Sequence, residues 1–453
     1  MGDTTISWTH RPGTRGRTWN PVRGCRNKSE GCRNCYAKAQ AARIVRMGVG
    51  RPTPYDGIVR VVGGEPQWTG EIAFDAARLS MPLRWREHST VFVDSMSDLF
   101  YDQRPNEHIA AVFGVMAAAL PHTFLVLTKY ADRMRQWFKW LENHVEQDAT
   151  DWSGRDCATN IDDARLDSML EYLDETACGA LAGHYDCCHL GLTTNAARTW
   201  PLPNVWLGVS VENQDAANER IPELLATPAA LRFLSCEPLL GPVNLTLHGS
   251  QIKGWDEDWK YDTLAGVEWS RPSDSEDKSG SSPELDWVIA GCESGPDARP
   301  CDTAWLRSLR DQCARADVPY FLKQGRDGGG AITAGPGSDR KVGGVIEIPY
   351  LDGTQHAAFP GVTPVTYFFR MEDGGATYFV AARDQPHAEQ ILRDAGVDYA
   401  EGVSYDTAVA NGLLAWTPVS RQEALGMMCQ TQDDRGRIPL AAAAMGEWFC
   451  TEW

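Results

Sequence analysis

No apolar run in this sequence is long enough to span a bilayer. The longest, IAAVFGVMAAAL from Ile109 to Leu120, stops at Pro121, well short of the ~20 residues that a spanning helix needs. The opening MGDTTISWTH has no charged segment followed by an apolar one, so no secretory signal is expected. Basic residues are in deficit, 43 Lys+Arg against 61 Asp+Glu, for a net charge of -18. That balance argues against a protein that coats nucleic acid non-specifically. Hydrophobic residues make up 43% and charged residues 23%, which excludes wholesale disorder and fibrous repeats. The expectation is a soluble, cytoplasmic, globular chain with no membrane partner. Its 453 residues suit two or three domain-sized units, or one large barrel-like domain.

Thirteen cysteines are present. Their number is odd and no signal precedes them, so a disulfide framework is the poorer reading. Most are expected to be small buried apolar residues. Cys313, for example, shares a helical stripe with Trp305, Leu306 and Leu309 in TAWLRSLRDQC.

The charge is also unevenly spread. Residues 1–60 hold twelve Lys/Arg against Asp3, Glu30 and Asp56, a net +9, which leaves -27 for the rest. These basic residues surround the densest cysteine cluster, so an anionic ligand nearby is one reading and a solvated face the other.

Six short apolar runs punctuate the middle of the chain: VFVDSM (Val91 to Met96), TFLVLT (Thr123 to Thr128), VWLGVSVE (Val205 to Glu212), LRFLSCE (Leu231 to Glu237), WVIAG (Trp287 to Gly291) and PYFLKQ (Pro319 to Gln324). Continuous rather than alternating hydrophobicity marks strands buried on both faces of a parallel sheet. Helical patterns at 106–120, 130–145, 213–226 and 303–316 separate several of them, the last capped by Asp302 or Thr303. Such alternation predicts an α/β fold, as a barrel or an open sheet. Two stretches, 146–200 and 246–286, read as polar insertions, the second solvent-exposed. From residue 361 the pattern changes to TYFFRM, ATYFVAA and short helices near HAEQILRDAG and SRQEALGMM, a small α+β appendage over 361–453.

Polar residues gather just past the buried strands: Ser95 and Asp98, Thr128 and Lys129, Glu212 and Asn213, Glu237, Glu293 and Ser294, Lys323 and Gln324. Each alone could be a helix cap. Together they describe a ring around one mouth, where parallel α/β folds bind ligands.

The segment TWNPVRGCRNKSEGCRNCYAKAQ places Cys25, Cys32 and Cys35 at C-x6-C-x2-C, directly before an amphipathic helix that begins near Tyr36. Three thiols on one loop can hold a metal, and Arg23, Arg26, Lys28 and Arg33 would favour their thiolate forms. A structural zinc site normally needs a fourth ligand, which this loop lacks. A [4Fe–4S] cluster on three cysteines leaves one iron open. A zinc knuckle completed by a distant residue is the competing reading, for a non-catalytic nucleic-acid-binding or assembly protein. Cys157, Cys178, Cys187 and Cys188, with His184 and His189, offer a second metal site as one reading and free cysteines as the other, the spacing from Cys157 being long and irregular.

In the segments ISWT, TWNPVRGC, GCRNCYA, VDSMSDLF, LTKY, WLGVSVENQ, RFLSCEPLLGP, WVIAGCESGPDARP and VPYFLKQ, in this order, the sequence resembles the phage gp thirty-seven/gp sixty-eight family over about residues 5 to 360. Members of that family look like radical S-adenosylmethionine (radical SAM) proteins. Cys292 departs from the family's usual Gly-Gly-Glu-Ser-Gly, and the cysteine spacing differs from the commoner C-x3-C-x2-C. GGEP at Gly63 to Pro66 spells a SAM-amine motif of other radical SAM enzymes but is out of place here, and reads as coincidence. The resemblance implies a partial or complete radical SAM-type (β/α) barrel over 1–360. It implies a [4Fe–4S] cluster on Cys25, Cys32 and Cys35, with SAM on the fourth iron and an external electron donor. Tyr36, Ser95, Asp98, Glu212 and Asn213 become candidates for SAM. Lys129, Glu237, Glu293, Lys323 and Gln324 become candidates for substrate or proton handling. The substrate would be DNA or a modified nucleotide, with glycine on a thymine methyl group shifted from N-linked to Cα-linked. Another radical SAM modification, or lesion reversal, shares every motif.

Overall fold

The computed structural model describes residues 3–152, 161–183, 200–252, 259–269, 283–295, 297–326, 331–334 and 345–361, and beyond these four strands near the C-terminus. The chain divides into two compact units, Met1–Phe359 and Pro360–Trp453.

The first unit is built on one sheet whose first seven strands run parallel in chain order: β1 (Arg15–Trp19), β2 (Ser89–Val93), β3 (Thr123–Thr128), β4 (Val205–Ser210), β5 (Leu231–Cys236), β6 (Trp287–Gly291) and β7 (Tyr320–Arg326). An antiparallel β8 (Val345–Glu347) closes the row beside β7. The sheet curls into a half-barrel flanked by helices. β2, β4 and β6 are buried at every position, as their unbroken hydrophobicity requires. Helices α1 (Tyr36–Met47), α2 (Asn106–Ala118), α3 (Ala131–Trp152), α4 (Ile161–Leu181), α5 (Gln214–Leu225) and α6 (Thr303–Arg315) lie in the connections between strands. Asp302 caps α6 through Ala304 N, 2.8 Å away, and Leu306, Leu309 and Cys313 form its buried face.

β1 was not among the expected strands. RGRTW carries two arginines in five residues, and only the pairing with β2 makes it a strand. The stretch 146–200 is also more than an insertion. α4 buries Leu170, Leu173, Ala177 and Leu181 in the main core, which includes α2. A Cβ on Gly114 of α2 would stand 2.3 Å from the Leu173 carbonyl oxygen, so the helices meet backbone to backbone. The stretch 246–286 contains a three-stranded antiparallel sheet, Thr246–His248, Lys260–Asp262 and Val267–Trp269, and buries Leu247, Tyr261, Thr263 and Leu285. Its charged text hides a buried spine in which Tyr261 alternates with half-buried neighbours. Gly63 and Gly64 of GGEP have φ of 61° and 89° and form the turn of a hairpin, Val59–Val62 with Glu65–Trp68, as left-handed two-residue turns require.

The concave base is closed by aromatic rings. Trp8, from the N-terminal ISWT segment, lies 4.7 Å from Phe92, 6.3 Å from Phe233 and 6.4 Å from Trp287. Trp287 in turn meets Phe321 and Phe359 at 6.2 and 5.5 Å.

In the second unit four antiparallel strands are ordered Ala415–Val419, Tyr367–Asp373, Ala376–Ala382, Trp448–Glu452. YFFRM and ATYFVAA fall on its two central strands. The helices expected near 386 and 420 lie outside the described residues. No helix among the described residues is long and apolar enough to cross a membrane.

Candidate functional site

The carboxyl ends of the parallel strands open into a cleft of about 470 Å³ with the cysteine loop along its rim. Cys25, Cys32, Cys35, Tyr36, Ser95, Asp98, Lys129, Glu237, Glu293, Lys323 and Gln324 all line it. The fold thus gathers in one place residues spread over 300 positions of sequence. Glu212 and Asn213, the other two SAM candidates, are not in the lining. Asn213 caps α5, its Oδ1 accepting from Ala216 N at 3.0 Å. Glu212 is buried, bound to Lys129 and to Arg220 at 2.8 Å, and accepts from the Ser29 hydroxyl at 2.6 Å.

The loop is therefore braced from two sides. Ser29 ties it to Glu212, whose Oε1 would lie 2.4 Å from a Cβ on Gly31. On the other side Glu293 holds Arg299 through 2.6 and 3.0 Å contacts and accepts from Asn34 at 3.0 Å. Arg299 also donates to the Glu30 carbonyl at 3.1 Å. Lys38, buried at the start of α1, donates to the Arg33 carbonyl at 2.9 Å. Burial raises the Glu293 carboxyl, but Arg299 and Asn34 outweigh it and hold the group below its ordinary value.

Cys25, Cys32 and Cys35 are outside any disulfide. Loss of water raises the Cys25 and Cys35 thiols. Burial also opposes ionisation of Cys32. There the Lys129 ammonium, the Lys28 N–H 3.5 Å from Sγ and the Ser29 hydroxyl prevail and lower it. The cation that matters is Lys129, from the end of β3, rather than the loop's own bases. Arg23 is bound to Asp75, and Lys28 reaches Glu219 at 3.6 Å. The basic text around the motif misled because ion pairing is decided by distant residues. Among the described residues no three Cys, His, Asp or Glu side chains close tightly enough on one point to hold a single metal ion. A cluster whose thiolates each meet a different iron does not require such convergence. Three unpaired thiols in one cleft, with N–H groups of Lys28, Ala37 and Lys38 turned to sulfur, suit it as a donor set.

The other ring members differ in what they have left to offer. Asp98 is saturated: Oδ1 accepts from Thr128 at 2.6 Å and Phe100 N at 3.1 Å, and Oδ2 from Lys129 N at 3.0 Å. Gln324 gives its amide to the Cys292 carbonyl at 2.6 Å, and so clasps β7 to the end of β6. Glu237 and Lys323 pair at 3.0 Å across the cleft. Cys292 lines the cleft, and burial pushes its thiol up to about 11.

Two lining residues escaped the sequence reading. Asp94 follows β2 with φ of 55° and is 3% exposed. Its Oδ1 accepts from Val22 N at 3.4 Å, while the buried Oδ2 has no partner. Burial pushes its carboxyl up to about 8, against the opposing pull of Arg104. The other is Trp8, whose buried indole N–H on the cleft floor is also unpartnered. Buried polar atoms are nearly always satisfied, so these two mark where a polar ligand would sit. Asp94 lay within VFVDSM, taken as strand; its left-handed backbone was the hidden sign, since Asp tolerates it. Cys178 lies on α4 with its thiol 3.6 Å from Asp174 Oδ1. Cys157, Cys187, Cys188, His184 and His189 lie outside the described residues.

A curled parallel half-barrel with a braced three-thiol loop over the carboxyl ends of its strands is the class of protein that this fold and site define. The chain belongs to the family described as "Protein of unknown function (DUF5131)", whose profile matches residues 3–360. No curated protein matches the chain. No solved structure matches it either.

Proposed function

We propose that the protein is a radical SAM enzyme acting on a modified nucleobase in DNA, isomerising glycine on a thymine methyl group from N-linked to Cα-linked. The observation that carries this reading is the gathering of Cys25, Cys32 and Cys35 with the strand-end polar ring around one cleft. When bound, a [4Fe–4S] cluster with SAM supplies a 5′-deoxyadenosyl radical, able to take hydrogen from an unactivated carbon. The net change breaks the C–N bond to the thymine methylene carbon, forms a C–C bond from that carbon to the glycine Cα and moves one hydrogen from Cα to nitrogen, so the composition of the adduct is unchanged.

The chain's own part is positioning. The three cysteines would hold the cluster, with the Ser29–Glu212 and Asn34–Glu293–Arg299 braces fixing the loop. Tyr36 and Ser95 stand at the rim beside the cysteines. Asp94, holding its proton near neutral pH, can donate from Oδ2 to an acceptor on a bound ligand. The Glu237–Lys323 pair faces the cleft, where an adduct carrying an amine and a carboxylate would meet both charges. Trp8 and Phe92 close the floor and exclude water, as radical chemistry demands.

Iron and sulfide quantitation after anaerobic reconstitution, in the native chain and in Cys32→Ala, tests the base of the reading. About four irons per chain, lost in the variant, are expected. Unchanged iron in Cys32→Ala, or stoichiometric zinc instead, would remove the cluster. With reductant and SAM, 5′-deoxyadenosine should form, and nucleoside mass spectrometry of glycinylated thymidine DNA should show the isomer. Radical formation without change in that DNA would leave the enzyme class and discard the substrate.

A further inference from the structure

The +9 of residues 1–60 is not one patch. Most of its first half, Arg26 excepted, is engaged with other side chains. Arg15 binds Asp3 and Glu87, Arg17 stacks on Trp85 at 4.8 Å, Arg11 lies over Trp206 at 5.3 Å, and Arg23 is held by Asp75. Its second half is not. Arg33, Arg43, Arg46, Arg51 and Arg60 are exposed and have no ion-pair partner among the described residues. Arg43 and Arg46 lie on α1 and Arg60 on the hairpin Val59–Trp68, two elements packed on each other as one lobe through Ala41, Tyr55, Ile58 and Val59, while Arg33 precedes α1 and Arg51 lies in the connection. Residues 33–68 hold six Lys/Arg against Asp56 and Glu65, in a chain that is otherwise strongly acidic.

The lobe also has direction. Tyr36, Gln40, Arg43 and Met47 recur at four-, three- and four-residue steps, so they form one stripe along α1. Tyr36, 51% exposed, lines the cleft at one end of the stripe, and Met47, 71% exposed, lies at the other, about 16 Å away at helical rise. Beside them Val61 and Val62, 61% and 47% exposed, present apolar surface that nothing in the described residues covers. A cationic track with an aromatic ring at its inner end has the elements that hold a single strand: charge for phosphates and a flat face for a base. A base paired inside a duplex could not reach thiols lining a cleft unless it left the stack.

We infer that the outer face of α1 and the adjoining hairpin form a track for single-stranded nucleic acid, with Arg43, Arg46 and Arg60 on its phosphates and Tyr36 against the base at the cleft mouth. The track specifies the partner surface of the reaction proposed above, and rests on that reading for its purpose but not for its test. Binding of a fluorescent oligothymidylate to the full chain, without SAM or reductant, is followed by anisotropy across a salt series. Each phosphate contact to a single strand contributes about 0.7 to the slope of log K against log salt. The triple variant Arg43→Ala/Arg46→Ala/Arg60→Ala should therefore lose about 2 from that slope. Arg15→Ala, whose guanidinium is committed to Asp3 and Glu87, should leave it unchanged. Circular dichroism and the thermal midpoint of the triple variant should match the native chain, since the three side chains are exposed.

An unchanged slope in the triple variant overturns the track. So does displacement of the oligonucleotide by polyglutamate at matched charge, or tighter binding of a duplex than of the single strand. Activity on DNA with an unchanged slope would sink the track and spare the enzyme. Salt-dependent binding lost in the triple variant, with no 5′-deoxyadenosine formed, would do the reverse.

Discussion

The polar ring has two halves that a sequence presents alike. Glu212, past β4, touches Lys129, Arg220 and Ser29 and has no part in the cleft lining. Glu237, past the neighbouring β5, lines the cleft with one ion pair, to Lys323. The same contrast divides Asp98, saturated by three donors, from Asp94 four residues earlier, whose Oδ2 has none. One half of the ring braces the cysteine loop and the sheet; the other half is left for a ligand. Polar residues at strand ends thus serve two functions, and their remaining hydrogen-bond capacity distinguishes them better than their chemistry does.

The sharpest way to break this division is Glu212→Ala. It strands two buried cations, and removing one partner of such a network costs about 3–5 kcal/mol. Urea unfolding should show that loss; a change below 1 kcal/mol would move Glu212 out of the bracing half. Asp94→Asn should act in the opposite direction. The carboxyl's folded pKa of about 8 lies above its ordinary 3.8, so the folded chain holds a proton that the unfolded chain releases. Asp94 therefore costs stability progressively as pH rises from about 4 to about 8, and the cost levels off above that. The variant's advantage, of order a few kcal/mol at most, should widen through that window in unfolding curves at pH 5, 7 and 9. A constant difference would mean that Asp94 has a partner.

Gly31→Ala comes next. Its Cβ would press on a carboxylate that Lys129, Arg220 and Ser29 hold in place, a strain of about 1–3 kcal/mol. Iron retained after reconstitution should fall with it, read against the native chain. Smallest in stability is Glu237→Gln, expected within about 1 kcal/mol while turnover drops at least tenfold. A large stability loss there would erase the distinction between the halves.

Much of this frame was legible from the chain. Continuous apolar runs announced six of the seven parallel strands, since burial on both faces leaves no alternation. β1 was hidden because Arg15 and Arg17 are neutralised by Asp3 and by Glu87, the latter 72 and 70 residues away. The gathering of strand-end polar residues was foreseeable from parallel topology alone. Their division was not, because Ser29 and Glu212 are 183 residues apart and Asn34 and Glu293 are 259 apart. Net charge misled for the same reason. The twelve bases of the first sixty residues look equivalent until those that meet a carboxylate, such as Arg15, Arg17, Arg23 and Lys28, are told from those that do not.

The aromatic floor carries a consequence for synthesis. Trp8 is synthesised before every ring it belongs with, Phe92, Phe233 and Trp287, and Trp287 belongs in turn with Phe321 and Phe359. At ordinary translation rates of about 5–20 residues per second, Trp8 waits roughly 20–70 s for the last of these rings. Until then the nascent half-barrel has an open base and exposed indole surface. The first tryptophan of the floor is therefore among the last to be buried, and the cleft above it can be finished only when nearly the whole first unit has been made.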